Sequence, residues 1–321
     1  MTQSDAERKK SVAKLTRGAA LAAALLCWAA PVALAQAAAL PRTAEGRPDL
    51  HGNWSSRWLT PVERPAGVSR LVLDDAEAAT LMADILARAE KNNPLDPELA
   101  APDGDSLAIV RGKARSSLII SPADGKLPYT DKGRAAARSY IGGLDGPEQR
   151  MTTERCIGGV GWAPLQIRSA SMIHRIVQTP EYVVLHTEAY DDTRILPVDG
   201  DHRPKEIQPP GGDSIAKWVG DVLEVTTRHL DPDFSTHGII TVTSPDAVIT
   251  EWFELVSPDE LVYRYTIVDP AYYSQPWTAE YSFVRTADEL YEFACHEGDY
   301  SMVGMLEGAR RQDKLSNRTK P

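Results

Sequence analysis

The sequence predicts a mainly β fold: an antiparallel meander closed as a lipocalin-like barrel, with a β-sandwich as the alternative. Nine segments rich in Val, Ile, Thr and aromatic residues follow one another between residues 171 and 297. Clusters of Gly, Pro, Asp and Ser separate them by short distances, which favours antiparallel neighbours. A meander of roughly eight to ten strands must close or stack as two sheets, because an open sheet leaves exposed edges.

The first 35 residues have the composition of a secretory signal peptide. Basic residues, an Ala-rich apolar run and a small-residue cleavage site at 33–35 (Ala-Leu-Ala) precede Gln36. The apolar run is short for a membrane span and Pro31 breaks it, which favours cleavage over anchoring. We therefore expect a periplasmic or secreted protein with no membrane span in its mature form.

Removal of residues 1–35 makes the chain more acidic. They hold five of the 35 basic and two of the 45 acidic side chains, which leaves 30 basic and 43 acidic residues, a net charge of −13. This charge argues against nucleic acid and anionic membranes as partners, since both need a basic patch. The expected partner is a small-molecule ligand or substrate, and the oligomeric state stays open.

The mature chain is expected to form one structural domain. Residues 36–160 are predicted to supply a first strand, a helix and a loop cover, and residues 161–321 the barrel. The apolar spacing from Leu73 to Asn92 predicts the main helix, which Asp74 or Asp75 caps. Further along, we expect a short strand over 116–120, a second helix over 130–139 and a glycine-rich irregular cover over 141–161.

Two cysteines, Cys156 and Cys295, follow the cleavage site. An even number of cysteines in an oxidising compartment favours a disulfide over two buried thiols. We therefore expect a Cys156–Cys295 bridge.

Alternation along the strands places polar and aromatic side chains on shared faces. His186 and Glu188 lie two residues apart, as do Tyr263 and Tyr265, and Glu251 lies among apolar residues. If these faces point inward, they line an aromatic lumen with a few polar groups, as in many small-molecule sites. Alternatively, the carboxylates lie near strand ends in water and the aromatic residues form ordinary core. The pattern leaves both arrangements open.

Acid–base catalysis is the chemistry that these residue types support, since it needs only a His or carboxylate with a shifted pKa in a dry pocket. The sequence has no nucleophile elbow, no paired metal-binding cysteines, no HExxH and no GxGxxG, so we predict neither a metal nor a cofactor. The candidate catalytic residues are His186, Glu188, Glu251, His174 and His296. The candidate ligand-binding residues are Tyr263, Tyr265, Tyr281, Trp277 and Arg194.

Four segments together carry a resemblance: PDLHGNW at 48–54, ERC at 154–156, DPAYYSQPW at 269–277 and YEFACHEGDY at 291–300. The chain resembles a large, poorly characterised family of exported bacterial β-rich proteins over most of its mature length. The resemblance implies export and architecture but no mechanism. Members carry Glu where this chain has Val219 and often His where it has Asp191, which weakens a functional role at either position.

Two function classes follow. The first is a periplasmic protein that binds a small apolar or aromatic molecule in the lumen. The second is a cofactor-independent lyase, isomerase or hydrolase that uses His and carboxylate. A buried His within hydrogen-bond reach of a carboxylate and a pocket favours the second class, and its absence favours the first.

Overall fold

The computed structural model describes residues 39–92, 104, 106–139, 146–165, 173–231, 236–237 and 241–318. The signal peptide expected at residues 1–35 lies outside them, and Leu40–Pro321 form one compact unit. The helices are α1 (Asp75–Asn92), α2 (Asp131–Ser139), α3 (Cys295–Gly298) and α4 (Tyr300–Arg318), with 3₁₀ turns at Pro147–Gln149 and Ala189–Asp191. The strands are β1 (Gly52–Ser55), β2 (Ile109–Val110), β3 (Lys113–Ala114), β4 (Ile119–Ser121), β5 (Ile173–Gln178), β6 (Tyr182–Thr187), β7 (Asp192–Pro197), β8 (Asp213–Val219), β9 (Val222–Arg228), β10 (Thr236–His237), β11 (Thr241–Val242), β12 (Val248–Ser257), β13 (Glu260–Val268) and β14 (Trp277–Thr286).

Within the described residues, ten strands pair into one antiparallel sheet. Its path is β7-β6-β5-β1-β14-β13-β12-β9-β8, and β4 pairs with β14 outside this path. Most neighbours in the path are also neighbours in sequence, because short turns such as Gly220–Asp221 between β8 and β9 permit only antiparallel return. The mainly β, antiparallel class is confirmed.

The two ends of this path, β7 and β8, approach each other along a line that we call the seam. One parallel bridge joins Val198 to Ala216, and Asp199 N donates to Ala216 O at 2.8 Å. No continuous ladder joins β7 to β8 in the described part of the chain. The predicted closed barrel is therefore not confirmed, although the sheet brings its two edges together.

The sheet includes strands from the N-terminal region that was expected to be mostly cover. β1 pairs with both β5 and β14, so it lies in the middle of the sheet. Its Trp54 is fully buried, and the indole N–H donates to Leu50 O at 2.9 Å. Burial of this large aromatic side chain stabilises the position of the short strand.

Strands β12, β13 and β14 form the central part of the sheet, and their core-facing side chains alternate with more exposed ones, apart from the buried Val262 on β13 and Ser282 on β14. Along β12, Ile249, Glu251 and Phe253 are buried, whereas the residues between them are partly exposed. The sequence left open whether the faces that carry Glu251, Tyr263 and Tyr281 point inward. The structure shows that they do, because apolar alternation sets the register wherever one face is buried.

Helix α1 begins at a capping box. Glu77 N donates to Asp74 Oδ1 at 2.9 Å, and Asp74 N donates to Glu77 Oε2 at 3.0 Å. The helix packs Leu81 with Leu73 and Leu107 in a small cluster separate from the main core. Both predicted helices are present, and Asp74 rather than Asp75 makes the cap.

The last of the nine segments predicted as strands, residues 289–297, does not form a strand, so this prediction is wrong. Residues 287–294 have no regular structure, and helices α3 and α4 follow them. β14 already pairs with β13 on one side and with β1 and β4 on the other, so a later segment finds no free edge beside it. The alternating aromatic residues of 291–297 therefore do not become a strand, since β propensity depends on available neighbours.

Candidate functional site

A buried polar network lies on the core face of the sheet. Arg194 of β7 makes a bidentate ion pair with Glu251 of β12, with Nη1–Oε1 at 3.0 Å and Nη2–Oε2 at 2.6 Å. The two side chains are 6% and 0% exposed. Because β7 is one end of the sheet path and β12 lies two strands from the other end, the pair crosses the interior. Arg194 also donates to Ser214 Oγ on β8 and Thr227 Oγ1 on β9.

Tyrosine hydroxyl groups extend this network. Tyr263 OH donates to Glu251 Oε1 at 2.7 Å and accepts from Leu165 N at 2.8 Å. Tyr281 OH donates to Leu165 O at 2.8 Å, so both polar groups of that backbone unit are satisfied by side chains. Satisfied hydrogen bonds of this kind are what make a buried ion pair tolerable.

Electrostatic interactions within the network favour the charged form of the Arg194 guanidinium. Burial by itself lowers the pKa of Arg194, but the adjacent Glu251 charge and its hydrogen bonds outweigh burial, and the pKa is raised. Burial raises the pKa values of Tyr263 and Tyr281 well above the usual range, so both stay neutral donors.

The predicted aromatic lumen is filled by its own side chains. Tyr263, Tyr265, Tyr281 and Trp277 are all 5% exposed or less. Ring centroids lie 5.0 Å apart for Tyr263–Tyr281 and 5.6 Å apart for Tyr265–Trp277. These are ordinary packing distances for aromatic residues, so the four form core rather than walls of an open cavity.

Two of the predicted catalytic residues face away from this network. On β6 the buried side chains are Val183, Leu185 and Thr187, which puts His186 and the residue after the strand, Glu188, on the opposite side. The expectation that these two share the inward face with Glu251 is therefore wrong. The more apolar of the two alternating sets of side chains on β6 occupies the core. A shift of the strand register by one residue would exchange the two sets between the faces of the sheet.

The remaining predicted histidines are also dispersed. His174 is 2% exposed on β5, with Nδ1 2.8 Å from Thr187 Oγ1 and its ring edge on Phe283. Burial lowers its pKa to about 3, so it is a neutral core side chain at physiological pH. His296 is exposed in α3. The structure thus brings together Arg194, Glu251, Tyr263 and Tyr281, and it leaves out His174, His186, Glu188 and His296.

A half-open cavity of about 460 Å³ lies along the seam, and we call it the seam groove. Its walls come from β7, β8, the segment before β8 and the glycine-rich segment. The lining residues are Ile157, Trp162, Thr193, Arg194, Ile195, Pro197, Asp201, Arg203, Pro209, Pro210, Gly211, Gly212, Asp213, Ser214 and Ile215. This volume is in the range of small-molecule sites, which combine apolar walls with a few polar groups.

Arg194 connects the buried network to the groove. Its guanidinium is held by Glu251, but its Nε–H has no hydrogen-bond acceptor among the described residues. A buried donor without a partner is unfavourable by about 1–3 kcal/mol. This donor is closed off from solvent, so a ligand in the groove would meet the residues around Arg194 rather than this N–H.

A histidine and a carboxylate meet beside the groove. His202 Nδ1 lies 2.8 Å from Asp213 Oδ2, and the same oxygen accepts Arg203 N at 2.9 Å. Asp213 lines the groove, whereas His202 packs behind it against His229. Sequence reasoning missed this pair. The only available signal was the pair of turn-rich stretches at 199–204 and 209–213, because the contact depends on how the two loops meet.

The glycine-rich wall is held by a buried carboxylate. Gly159 N and Gly161 N donate to Asp192 Oδ2 at 2.8 and 2.9 Å. Burial raises the pKa of Asp192 despite these hydrogen bonds. A Cβ at Gly158, where φ is +112°, would lie 2.2 Å from Asp192 Oδ1. Position 158 in this wall therefore requires glycine, because any side chain there would clash with Asp192.

The expected disulfide is present at the start of the same wall. Cys156 and Cys295 are bonded, with their Cα atoms 5.7 Å apart. Ile157, the next residue, lines the groove, so the bond ties this wall to α3.

No cluster of three His, Cys, Asp or Glu side chains suited to a metal ion occurs in the part of the chain that the structure describes. None of the helices in those residues has the length and hydropathy that a membrane crossing requires. The chain matches no family model and no curated protein.

Proposed function

We propose that this protein is an exported small-molecule binding protein and that its ligand lies in the seam groove. The observation that carries the proposal is the seam groove itself, a half-open cavity of about 460 Å³ whose wall includes Arg194, which its ion pair with Glu251 holds in place. The apolar part of the ligand would contact the isoleucines and prolines of the lining, and its polar part would meet polar lining residues such as Arg203 and Ser214. This combination fixes orientation while apolar contact supplies affinity.

The fold inferred around this site is barrel-like. Arg194 of β7 bonds with Ser214 of β8, Thr227 of β9 and Glu251 of β12, so side chains join the two ends of the sheet where the backbone ladder stops. The groove is the part of the seam that these contacts leave open. A ligand site at such a barrel opening replaces the filled lumen as the candidate site.

Export is the proposed location. The Cys156–Cys295 disulfide suits an oxidising compartment, and the composition of residues 1–35 supplies the expected export signal. An intact mass that begins at Gln36 in the native host supports this location, whereas retention of residues 1–35 would remove it.

Native mass spectrometry of protein purified from its own periplasm tests the binding function. Wild type should retain a small molecule. Ile195→Asp puts a charge on the apolar wall, so the retained amount of this small molecule should fall at least about tenfold. Val268→Asp is the matched control, because Val268 is likewise an exposed apolar strand residue, outside the groove lining. Equal retention by both variants, or no retention by wild type, would contradict the proposal.

The His202–Asp213 contact favours a second candidate function, hydrolysis by acid–base catalysis at the same groove. His202→Gln should then lower turnover of p-nitrophenyl acetate by about 10²-fold or more. His51→Gln is the control, since His51 makes an equivalent 2.7 Å contact with Asp49 away from the groove. Equal rates for wild type and His202→Gln would exclude this second function.

A further inference from the structure

The seam groove is bordered by strand edges that have no continuous pairing partner among the described residues. Val198 N donates to Glu181 O, and the β6–β7 register places these residues opposite each other. Alternation then turns the backbone groups of Arg194 and Leu196 toward β6, and those of Thr193 and Ile195 toward the seam. No hydrogen bond is formed by the backbone N–H of Thr193 or Ile195 to another described residue.

The facing strand has the same property over a shorter length. Ala216 O accepts from Asp199 N across the seam, so alternation also points the backbone of Ser214 into the groove. Thr193, Ile195 and Ser214 are all lining residues. The groove therefore contains a row of backbone donors and acceptors at the strand repeat, in addition to apolar side chains.

The length of the free edge is limited at one end. Pro197 has no N–H, and the Val198–Ala216 bridge closes the seam just beyond it. At the other end, β7 begins at Asp192 after a 3₁₀ turn. The open part of the β7 edge between Asp192 and Pro197 is therefore short. This length suits a ligand of three or four residues rather than a long strand of a partner protein.

The charges of the lining are balanced. Two arginines, Arg194 and Arg203, and two aspartates, Asp201 and Asp213, line the groove. A strongly anionic or cationic ligand gains little from this set, whereas a neutral main chain flanked by apolar side chains is complementary to it.

We propose that the ligand is a short, extended peptide with apolar side chains, which adds as a strand to the free edge of β7. Peptide main-chain hydrogen bonds supply affinity in this mode, and wall pockets select the alternate side chains. This inference rests on the seam groove being the binding site.

Amide hydrogen exchange followed by NMR tests it, with the full exported chain and the blocked peptide acetyl-Val-Thr-Val-Thr-amide. At saturation, exchange at Thr193, Ile195 and Ser214 should slow by about tenfold or more. Arg194 and Leu196 are internal controls, since their amides already face β6. N-methylation of alternate peptide amides should weaken binding by about fivefold to tenfold in one register and little in the other.

Two variants at position 195 separate the contribution of the backbone N–H to peptide binding from that of the side chain. Ile195→Pro removes a groove-facing N–H without removing a hydrogen bond to β6, and it should lose peptide binding by at least about tenfold. Ile195→Ala keeps the N–H and should lose less. Peptide binding without exchange protection at the three edge amides, or a larger loss in Ile195→Ala, would overturn the proposal.

Indole, as a non-peptide probe, distinguishes failure of the ligand class from failure of the site. Shifts of the groove amides by indole, with none by the peptide, would reject the peptide and leave the groove as a small-molecule site. Absence of shifts with either probe would reject both proposals.

Discussion

At the scale of single residues, the molecule keeps a charged pair and a histidine inside an apolar core. Arg194 and Glu251 satisfy each other bidentately, and Tyr263 adds a third hydrogen bond. His174 has an Nε2 without a described partner and remains neutral. The buried ion pair makes stability sensitive to substitution, and the buried histidine makes stability sensitive to pH.

Glu251→Gln should lower the free energy of unfolding by about 3–5 kcal/mol, because it leaves the Arg194 charge buried without a counter-charge. Urea denaturation measures the change. Glu254→Gln, three residues further along β12, removes an exposed ion pair with Arg111 and should change stability by about 0–1 kcal/mol. Similar losses in both variants would contradict the buried pair as described.

Acid should destabilise the wild type through His174. Its folded-state pKa of about 3 lies below the unfolded value near 6.5, so the unfolded state binds the proton first. Stability is therefore fully present above pH 6.5 and falls as the pH is lowered toward 3, by roughly 3–5 kcal/mol at most. His174→Gln should remove this part of the pH dependence in urea titrations at successive pH values.

A second substitution serves as a check on that interpretation. His174→Asn also lacks a titrating ring and should flatten the curve in the same way, whatever its stability at pH 7. Parallel curves for wild type and both variants would show that His174 does not cause the acid sensitivity.

At the scale of elements, the irregular segment from Cys156 to Leu165 forms a wall by contacts at both ends and in the middle. The disulfide holds one end, Asp192 holds the glycines, and the tyrosine hydroxyl groups hold Leu165. The sequence correctly predicts an irregular glycine-rich cover here. The sequence pattern does not identify Asp192 as the residue that holds this segment, because the contact joins positions more than thirty residues apart.

Gly158→Ala should destabilise the protein by about 2–5 kcal/mol, from the positive φ and from the clash with Asp192. Gly46→Ala is the matched control, since Gly46 also has a positive φ but nothing within 4 Å of an added Cβ. It should lose only about 1–2 kcal/mol. Thermal and urea unfolding measure both, and equal losses would contradict the close approach.

At the scale of the whole molecule, one covalent link joins distant parts of the chain. The Cys156–Cys295 bond spans 139 positions and connects the groove wall to the helices at the end of the chain. The sheet itself does not depend on the bond for its ladders. Loss of the bond should therefore lower stability without removing the β structure.

Replacement of both cysteines by serine should lower the free energy of unfolding by about 4–5 kcal/mol in the chain-entropy view. The far-ultraviolet circular dichroism of the native state should remain that of a β protein. Thiol labelling of unreduced, denatured wild type should leave Cys156 and Cys295 unlabelled. Labelling of both cysteines, or unchanged stability of the double variant, would contradict the role of the bond.

The sequence by itself determined the β class, the two early helices, the pairing of two cysteines and which residues share a face along β12 to β14. These follow from local alternation, capping and count, which need no knowledge of distant neighbours. Tertiary structure decided that the shared faces of β12 to β14 point inward and which face of β6 is buried. It decided that Cys295–Gly298 and Tyr300–Arg318 are helical and that Arg194 meets Glu251. It also decided where the seam groove lies. Each depends on which strands are adjacent in space, and the order of strands in a sheet is set by packing and free edges rather than by local pattern.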